Sequence, residues 1–238
     1  MYYTSLESAA KKNNIHFNTN DLFCIGTVGC NLQCKWCLNK NLVRLGEGCV
    51  HSEEKVLEDI SKQNRNTVIG FCYNEPTLNP NLNFMARYAL ERGFKTYIST
   101  NGMYASYGMS VFDLFHYIDL DIKYPIDKSG TEKWLGIDYK EYSNRISRSI
   151  STLGPNKINI TWLYIPSFWN KDDIDYIAAL INRYISHGSC VSLRAFYPYE
   201  VYPELTAVDE EQLDDFYKTV RKLIKDTVWV RKDIGEYY

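Results

Sequence analysis

Short runs of apolar, β-branched and aromatic residues alternate along the chain with longer segments of helical period. The apolar runs lie at 22–25, 67–71, 95–99, 117–122, 158–165 and 191–196, with a further candidate at 227–230. Most are apolar at nearly every position, as parallel strands read when both faces are covered. The helical segments fall between them, at 52–62, 82–92, 139–153, 171–186 and 209–225. Their ends carry capping signals. Ser52 precedes Glu53 and Glu54, Asn170 precedes Asp172 and Asp173, and Asp209 with Gln212 forms a capping box. Gly93, Gly154-Pro155 and Gly188 stand where helices should stop.

An alternation of about six β/α repeats implies a parallel sheet with right-handed crossovers. A closed eight-fold barrel typically needs about 250 residues, so the expected fold is a partial (β/α)6 TIM-like barrel. No Pro/Gly/Ser-rich linker or internal repeat divides the chain, so one domain over 1–238 is expected, with its core at about 22–230. In such folds functional side chains belong at the C-terminal ends of the strands.

Composition narrows the function classes. Of the 238 residues 45% are hydrophobic and 24% charged, which is ordinary for a globular domain. The formal net charge of −2 gives no general attraction to nucleic acid or anionic lipid. No apolar run is long enough to span a bilayer, and the first residues lack the basic start and apolar stretch of a secretory signal. A cytoplasmic location is expected. The 7 cysteines are odd in number and three of them crowd together, unlike a disulfide framework. Clustered thiols in a reducing compartment point to metal.

That cluster is Gly29-Cys30-Asn31-Leu32-Gln33-Cys34-Lys35-Trp36-Cys37, directly after the first strand. Three thiolates on one short loop can converge on one centre, and soft thiolates select iron–sulfur clusters or zinc. A structural zinc would need a fourth ligand, for which Cys49 and His51 are candidates. Three cysteines on a cubane would leave one iron open to chemistry.

Polar segments follow the later strands. Tyr73-Asn74-Glu75-Pro76-Thr77 comes after the second and Ser99-Thr100-Asn101-Gly102 after the third. In Asp119-Leu120-Asp121-Ile122-Lys123 strand alternation puts Asp119, Asp121 and Lys123 on one face, where burial without partners would be costly. Ile165-Pro166-Ser167 follows the fifth strand, and Arg194-Ala195-Phe196-Tyr197-Pro198-Tyr199-Glu200 the sixth. Each alone also reads as a turn or an internal ion pair.

Cys-x3-Cys-x2-Cys with an aromatic before the last cysteine resembles the signature of the radical S-adenosylmethionine (SAM) superfamily, and the order of the other segments resembles it too. The likeness runs from about Phe23 to Val230 and is nearest to glycyl-radical-enzyme activases of the pyruvate formate-lyase activase type and to AmmeMemoRadiSam-type proteins. The resemblance implies one [4Fe–4S] cluster on Cys30, Cys34 and Cys37, with SAM chelated at the open iron. One electron would then cleave SAM to methionine and a 5′-deoxyadenosyl radical that abstracts hydrogen from a substrate. It implies that Trp36 packs beside the adenine and that Glu75, next to Asn74, takes the methionine ammonium. Ser99, Thr100 and Asn101 would line the SAM carboxylate and ribose. Asp121 and Lys123 would approach SAM, Ile165 would run beside the adenine, and Tyr197 would close over the ribose. Asp121, Lys123, Arg194 and Glu200 are the candidate catalytic residues. The sequence departs from the family's Gly-Gly-Glu-Pro at Tyr73 and Asn74, from Ile-Pro-Gly at Ser167, and from a common His at Glu200.

The partners so implied are a reductant such as flavodoxin or ferredoxin and a substrate protein, peptide or small molecule. A non-catalytic zinc-stabilised binding module stands as the alternative from another class. Cys24, Cys49, Cys72 and Cys190 are expected as small core side chains, and His16, His51, His116 and His187 show no ligand spacing.

Overall fold

The computed structural model describes residues 22–45, 51–104, 109–126, 130–156, 158–198 and 205–233. Among these residues seven strands succeed one another across a sheet in chain order: β1 Leu22–Ile25, β2 Val68–Phe71, β3 Lys95–Thr100, β4 Tyr117–Ile122, β5 Asn159–Tyr164, β6 Cys190–Ala195 and β7 Trp229–Asp233. The pairs β1–β2, β2–β3, β5–β6 and β6–β7 are parallel. The helices are α1 Glu53–Ser61, α2 Leu82–Glu91, α3 Thr131–Leu135, α4 Tyr139–Leu153, α5 Lys171–Tyr184 and α6 Glu210–Leu223. The strand–helix alternation expected from the pattern is present, and the candidate run at 227–230 overlaps β7 only at Trp229 and Val230.

By packing, the chain divides into two compact units. One comprises Met1–Asn31, Asn39–Thr100 and Tyr104–Asp119; the other comprises Leu32–Leu38, Asn101–Met103 and Leu120–Tyr238.

In the first unit β2 is buried at every residue, as its unbroken apolar run requires. Helix α2 buries Leu82, Met85, Ala86 and Ala89, an i, i+3, i+4, i+7 stripe, and packs on β3. Ser52 caps α1 by accepting from the Lys55 N–H at 3.3 Å. On one face of β1–β3, Leu22, Cys24, Val68, Cys72 and Tyr97 form a closed cluster, with Tyr73 and Tyr117 packed against it.

In the second unit the expected capping box Asp209–Gln212 is present on α6, and Asn170 with Asp173 forms a second one on α5. Helices α5 and α6 stop at Tyr184 and Leu223, short of the expected ends, because Ile185 and Ile224 turn to extended backbone. Trp162 of β5 is fully buried between Trp169 and Phe216, with ring centroids 5.2 and 5.4 Å away. Parallel register sets Asn159 beside Cys190 and Thr161 beside Ser192, and the Ser192 hydroxyl donates to Asn159 Oδ1 at 2.7 Å. Helix α3 was not expected. Its five residues, Thr-Glu-Lys-Trp-Leu, are too few to display a helical period.

Candidate active site

In the first unit the loops after β1 and β2 are laced together. The Glu75 N–H donates to the Gly29 carbonyl at 3.3 Å, so Glu75 joins the residue immediately before Cys30. Asn74 forms a two-way clamp: its Oδ1 accepts from the Thr27 N–H at 3.1 Å and its Nδ2 donates to Thr27 Oγ1 at 2.6 Å. Asn39 Nδ2 donates to the Tyr73 carbonyl at 2.9 Å. Tyr73 has φ 75°, alone among the described non-glycine residues in adopting positive φ. Left-handed backbone normally favours glycine. Tyrosine thus takes a glycine-type conformation where the resembled motif has glycine, and its ring packs on the adjacent core cluster.

Glu75 is wholly buried. Its Oε1 accepts from Thr77 Oγ1 at 2.6 Å, Thr100 Oγ1 at 2.8 Å and the Thr77 N–H at 3.3 Å. A buried carboxylate needs such donors, because its desolvation costs several kcal/mol, on the order of 2–7 for a polar group alone. Thr77 is the residue that the motif reading missed. The signal was present: Glu75 caps a 3-10 turn, Pro76–Leu78, with proline at its first position. Thr100 ends β3, where Ser99 points to the opposite face, the one that carries Tyr97. Ser99 and Thr100 therefore do not approach one ligand from the same side. The Tyr97 hydroxyl donates to Asp119 at 3.3 Å.

In the second unit the cysteine loop lies against α3. The Gln33 N–H donates to the Leu135 carbonyl at 2.7 Å and the Lys35 N–H to the Trp134 carbonyl at 3.0 Å. Within the loop the Cys37 N–H donates to the Cys34 carbonyl at 3.1 Å. Trp36 sits in an aromatic group with Phe168, Trp134 and Phe196, at centroid distances of 5.4, 6.0 and 6.4 Å. Phe168 also packs on Tyr124 at 4.9 Å. Those partners are spread from 124 to 196, and no local pattern announces them.

Lys123 Nζ donates to Asp121 at 2.8 Å, both side chains part-buried. Burial works against the Lys123 ammonium, but the charges of Asp121 and Cys34 and the Asp121 hydrogen bond outweigh it and hold the amine above its ordinary range. Arg194 acts in the opposite sense, so Asp121, Lys123, Cys34 and Arg194 share one electrostatic neighbourhood. Asn101 is buried, and its Oδ1 accepts from the Met103 N–H at 2.8 Å. Ser149 and Arg145 of α4 donate to the Gly102 and Met103 carbonyls at 2.7 and 2.9 Å and fix this turn. Ile165 is buried and its carbonyl accepts from Phe168, whereas Tyr197 is 59% exposed. Glu200 and Cys49 lie outside the described residues.

The thiols differ in setting. Cys30, Cys34 and Cys37 are in no disulfide and part-exposed, while Cys24 and Cys72 are in no disulfide and buried. The hydrogen bond with Cys24, then burial, push the Cys72 thiol far above its ordinary range, which keeps it protonated and unsuited to ligation. Cys190 is part-exposed, 3.9 Å from the Ser192 hydroxyl. Among the described residues no three His, Cys, Asp or Glu are gathered around the position of a single metal ion. A cubane asks for something else, since each thiolate takes its own iron. Part-exposed thiols have the soft donor chemistry that an iron–sulfur cluster takes.

Comparisons with known proteins bear on the fold and on residues 24–125. Residues 24–125 match the profile of the Radical SAM superfamily. A Methanocaldococcus jannaschii protein, provisionally named a glycyl-radical enzyme activating enzyme, is 26% identical over 219 residues, 88% of this chain and 88% of its own length. A domain of the pyruvate-formate lyase-activating enzyme of Bacteroides vulgatus superposes with a TM-score of 0.54 at 13% identity, over 68% of this chain and 96% of that one. SAM-bound SuiB of Streptococcus suis gives 0.66 at 16% identity, over 96% of this chain and 54% of SuiB. SuiB with its precursor peptide SuiA gives 0.63. The structural likenesses speak for the fold: an α/β fold with a parallel sheet of the partial TIM-like barrel kind. No described helix is long and apolar enough to cross a membrane. Over residues 24–125 the chain is similar to the radical SAM superfamily, and it is an enzyme.

Proposed function

We propose that this enzyme holds one [4Fe–4S] cluster on Cys30, Cys34 and Cys37, binds SAM beside it, and activates a partner protein by forming a glycyl radical on it. When bound, the cluster supplies the electron that splits SAM into methionine and a 5′-deoxyadenosyl radical. One observation carries the reading: the loop bearing Cys30 is hydrogen-bonded through Gly29 to Glu75, whose buried carboxylate is held by Thr77 and Thr100. Glu75 accepts from the SAM ammonium. Thr100 acts through Glu75, and Asn74 acts through Thr27, so both position the site. Asn101 offers its amide to the polar end of SAM, Ser99 remains a candidate on the sequence alone, and Trp36, Ile165 and Tyr197 flank the base and ribose. Asp121 and Lys123 face its charged groups. Arg194 suits a carboxylate, and Glu200 remains a candidate on the sequence alone.

The substrate class is supported by the activase relative, which matches along 88% of both chains. A peptide or small-molecule substrate is the second reading, supported by the likeness to peptide-bound SuiB. We propose that 1–238 works as one radical SAM domain in a reducing cytoplasm, with flavodoxin or ferredoxin as electron donor.

The test is anaerobic reconstitution with iron and sulfide, then dithionite and SAM, with 5′-deoxyadenosine measured. Product that disappears in a Cys30/Cys34/Cys37→Ala variant is the expected result. A colourless wild-type protein with bound zinc and no product would favour the binding-module reading. A stable organic radical on a large added protein identifies an activase; a modified peptide or small molecule identifies the second reading.

A further inference from the structure

Between Trp134 and Gly136 the chain makes an unusual approach to the cysteine loop. Carbonyls of Trp134 and Leu135 accept from Lys35 and Gln33, at 3.0 and 2.7 Å, so the loop is held by alternate backbone bonds on either side of Cys34. Gly136 ends α3 with φ 70°. A Cβ added there would stand 2.9 Å from Gln33 Cβ, 3.2 Å from Cγ and 3.3 Å from Cδ. Real Cβ atoms do not come that close to another carbon. Trp134 adds a second hold, because its ring lies 6.0 Å from Trp36 and Lys35 Nζ lies 5.3 Å above it. Next along the chain, the Tyr142 hydroxyl of α4 donates to the Tyr124 carbonyl at 3.1 Å and accepts from the Tyr124 N–H at 3.2 Å, which ties α4 to the segment after β4.

We infer that Trp134-Leu135-Gly136 is a positioning clamp that sets Cys34 and Cys37 in place before any cluster is present. The backbone bonds fix the loop, and the missing side chain at 136 lets Gln33 close onto it. None of the three clamp residues offers a ligand. Their effect on chemistry is indirect, through where the two thiols stand. The part of the inference that concerns the cluster rests on the function proposed above; the part that concerns the thiols does not.

The experiment uses the full-length chain without metal and measures iodoacetamide alkylation of Cys37. Trypsin isolates it on the peptide of residues 36–40, where it is the sole cysteine. In Gly136→Ala the loop must give way, and alkylation should rise by about tenfold, the equilibrium worth of one lost backbone hydrogen bond, ~1.4 kcal/mol. Gly93→Ala is the matched control. Gly93 has φ 80° but no atom within 4 Å of an added Cβ, so it carries the backbone strain without the contact. It should leave Cys37 alkylation unchanged. Gly136→Ala/Gln33→Gly removes the opposing Cβ and should restore alkylation to near the wild-type rate, which a general loosening of the fold would not do. If Gly136→Ala does not fold, Trp134→Phe keeps the backbone bonds and should give a smaller rise.

Equal rates in wild type and Gly136→Ala, or equal rises in Gly136→Ala and Gly93→Ala, overturn the clamp. So does a Gly136→Ala effect that Gln33→Gly leaves in place. After reconstitution, Gly136→Ala should also change the electron paramagnetic resonance line shape of the reduced cluster. A wild-type protein that takes up no iron would defeat the proposed cluster, while the alkylation series would still decide the clamp.

Discussion

Replacing Thr100 with valine keeps the shape of the side chain and removes one donor from Glu75. In the native chain Oε1 of that buried carboxylate takes three donors, two of them hydroxyls at 2.6 and 2.8 Å. A hydrogen bond to a charged acceptor contributes about 1.5–3 kcal/mol, and the shape change adds little because valine and threonine are near-isosteric. Thr100→Val should therefore cost about 2 kcal/mol. For a chain of this size that lowers Tm by about 4–8 °C. The assay is urea unfolding of the metal-free protein followed by circular dichroism, with Thr77→Val alongside. Because both hydroxyls serve one oxygen, the double variant should depart from the sum of the singles by at least about 0.5 kcal/mol. A loss below about 0.5 kcal/mol with strictly additive singles would refute the argument, since it would mean that the hydroxyls do not hold an ionised Glu75.

Other expectations can be checked with the same material. Gly102→Ala places a Cβ 2.8 Å from Leu120 Cδ1 and 3.2 Å from Ile146 Cδ1 at a φ of 75°, and should cost about 2–4 kcal/mol in urea unfolding. Asn74→Ala breaks both arms of its clamp on Thr27 and should cost about 1–3 kcal/mol, with weaker iron uptake on reconstitution as a second readout. Burial, then the charge of Lys95, hold His116 below its ordinary pKa of 6.5. The unfolded chain therefore binds the proton first as pH falls, so stability should be present above that value and decline below it. In His116→Gln the urea midpoint should lose this dependence between pH about 7 and about 5.

The positions of the strands were legible because parallel strands covered on both faces are apolar at almost every residue, as Val68–Phe71 shows. Caps were legible because a cap is local: Asn170 and Asp173 lie three residues apart and bond to each other. The same locality made Glu75 visible beside Pro76. What holds Glu75 was only half visible, since Thr77 is two residues away and Thr100 is on the next strand. The partners of Trp36 were not legible at all. Phe168 drew no reading, and Phe196 stood only in the segment that ends the run at 191–196, until the fold brings both rings to Trp36. Helix α3, whose carbonyls hold the cysteine loop, is too short to carry a period.

The tyrosine in left-handed backbone has a consequence for how tightly a ligand can be held. A glycine at position 73 would leave the loop before Glu75 many alternatives, each of which binding would have to suppress. Tyr73, packed on the core cluster of Leu22, Cys24, Val68, Cys72 and Tyr97, removes most of those alternatives in advance and accepts about 1–2 kcal/mol of local strain for it. The ordering cost is met when the chain folds, so under the proposed function an incoming ammonium group would find its acceptor already fixed and retain more of its interaction energy as affinity.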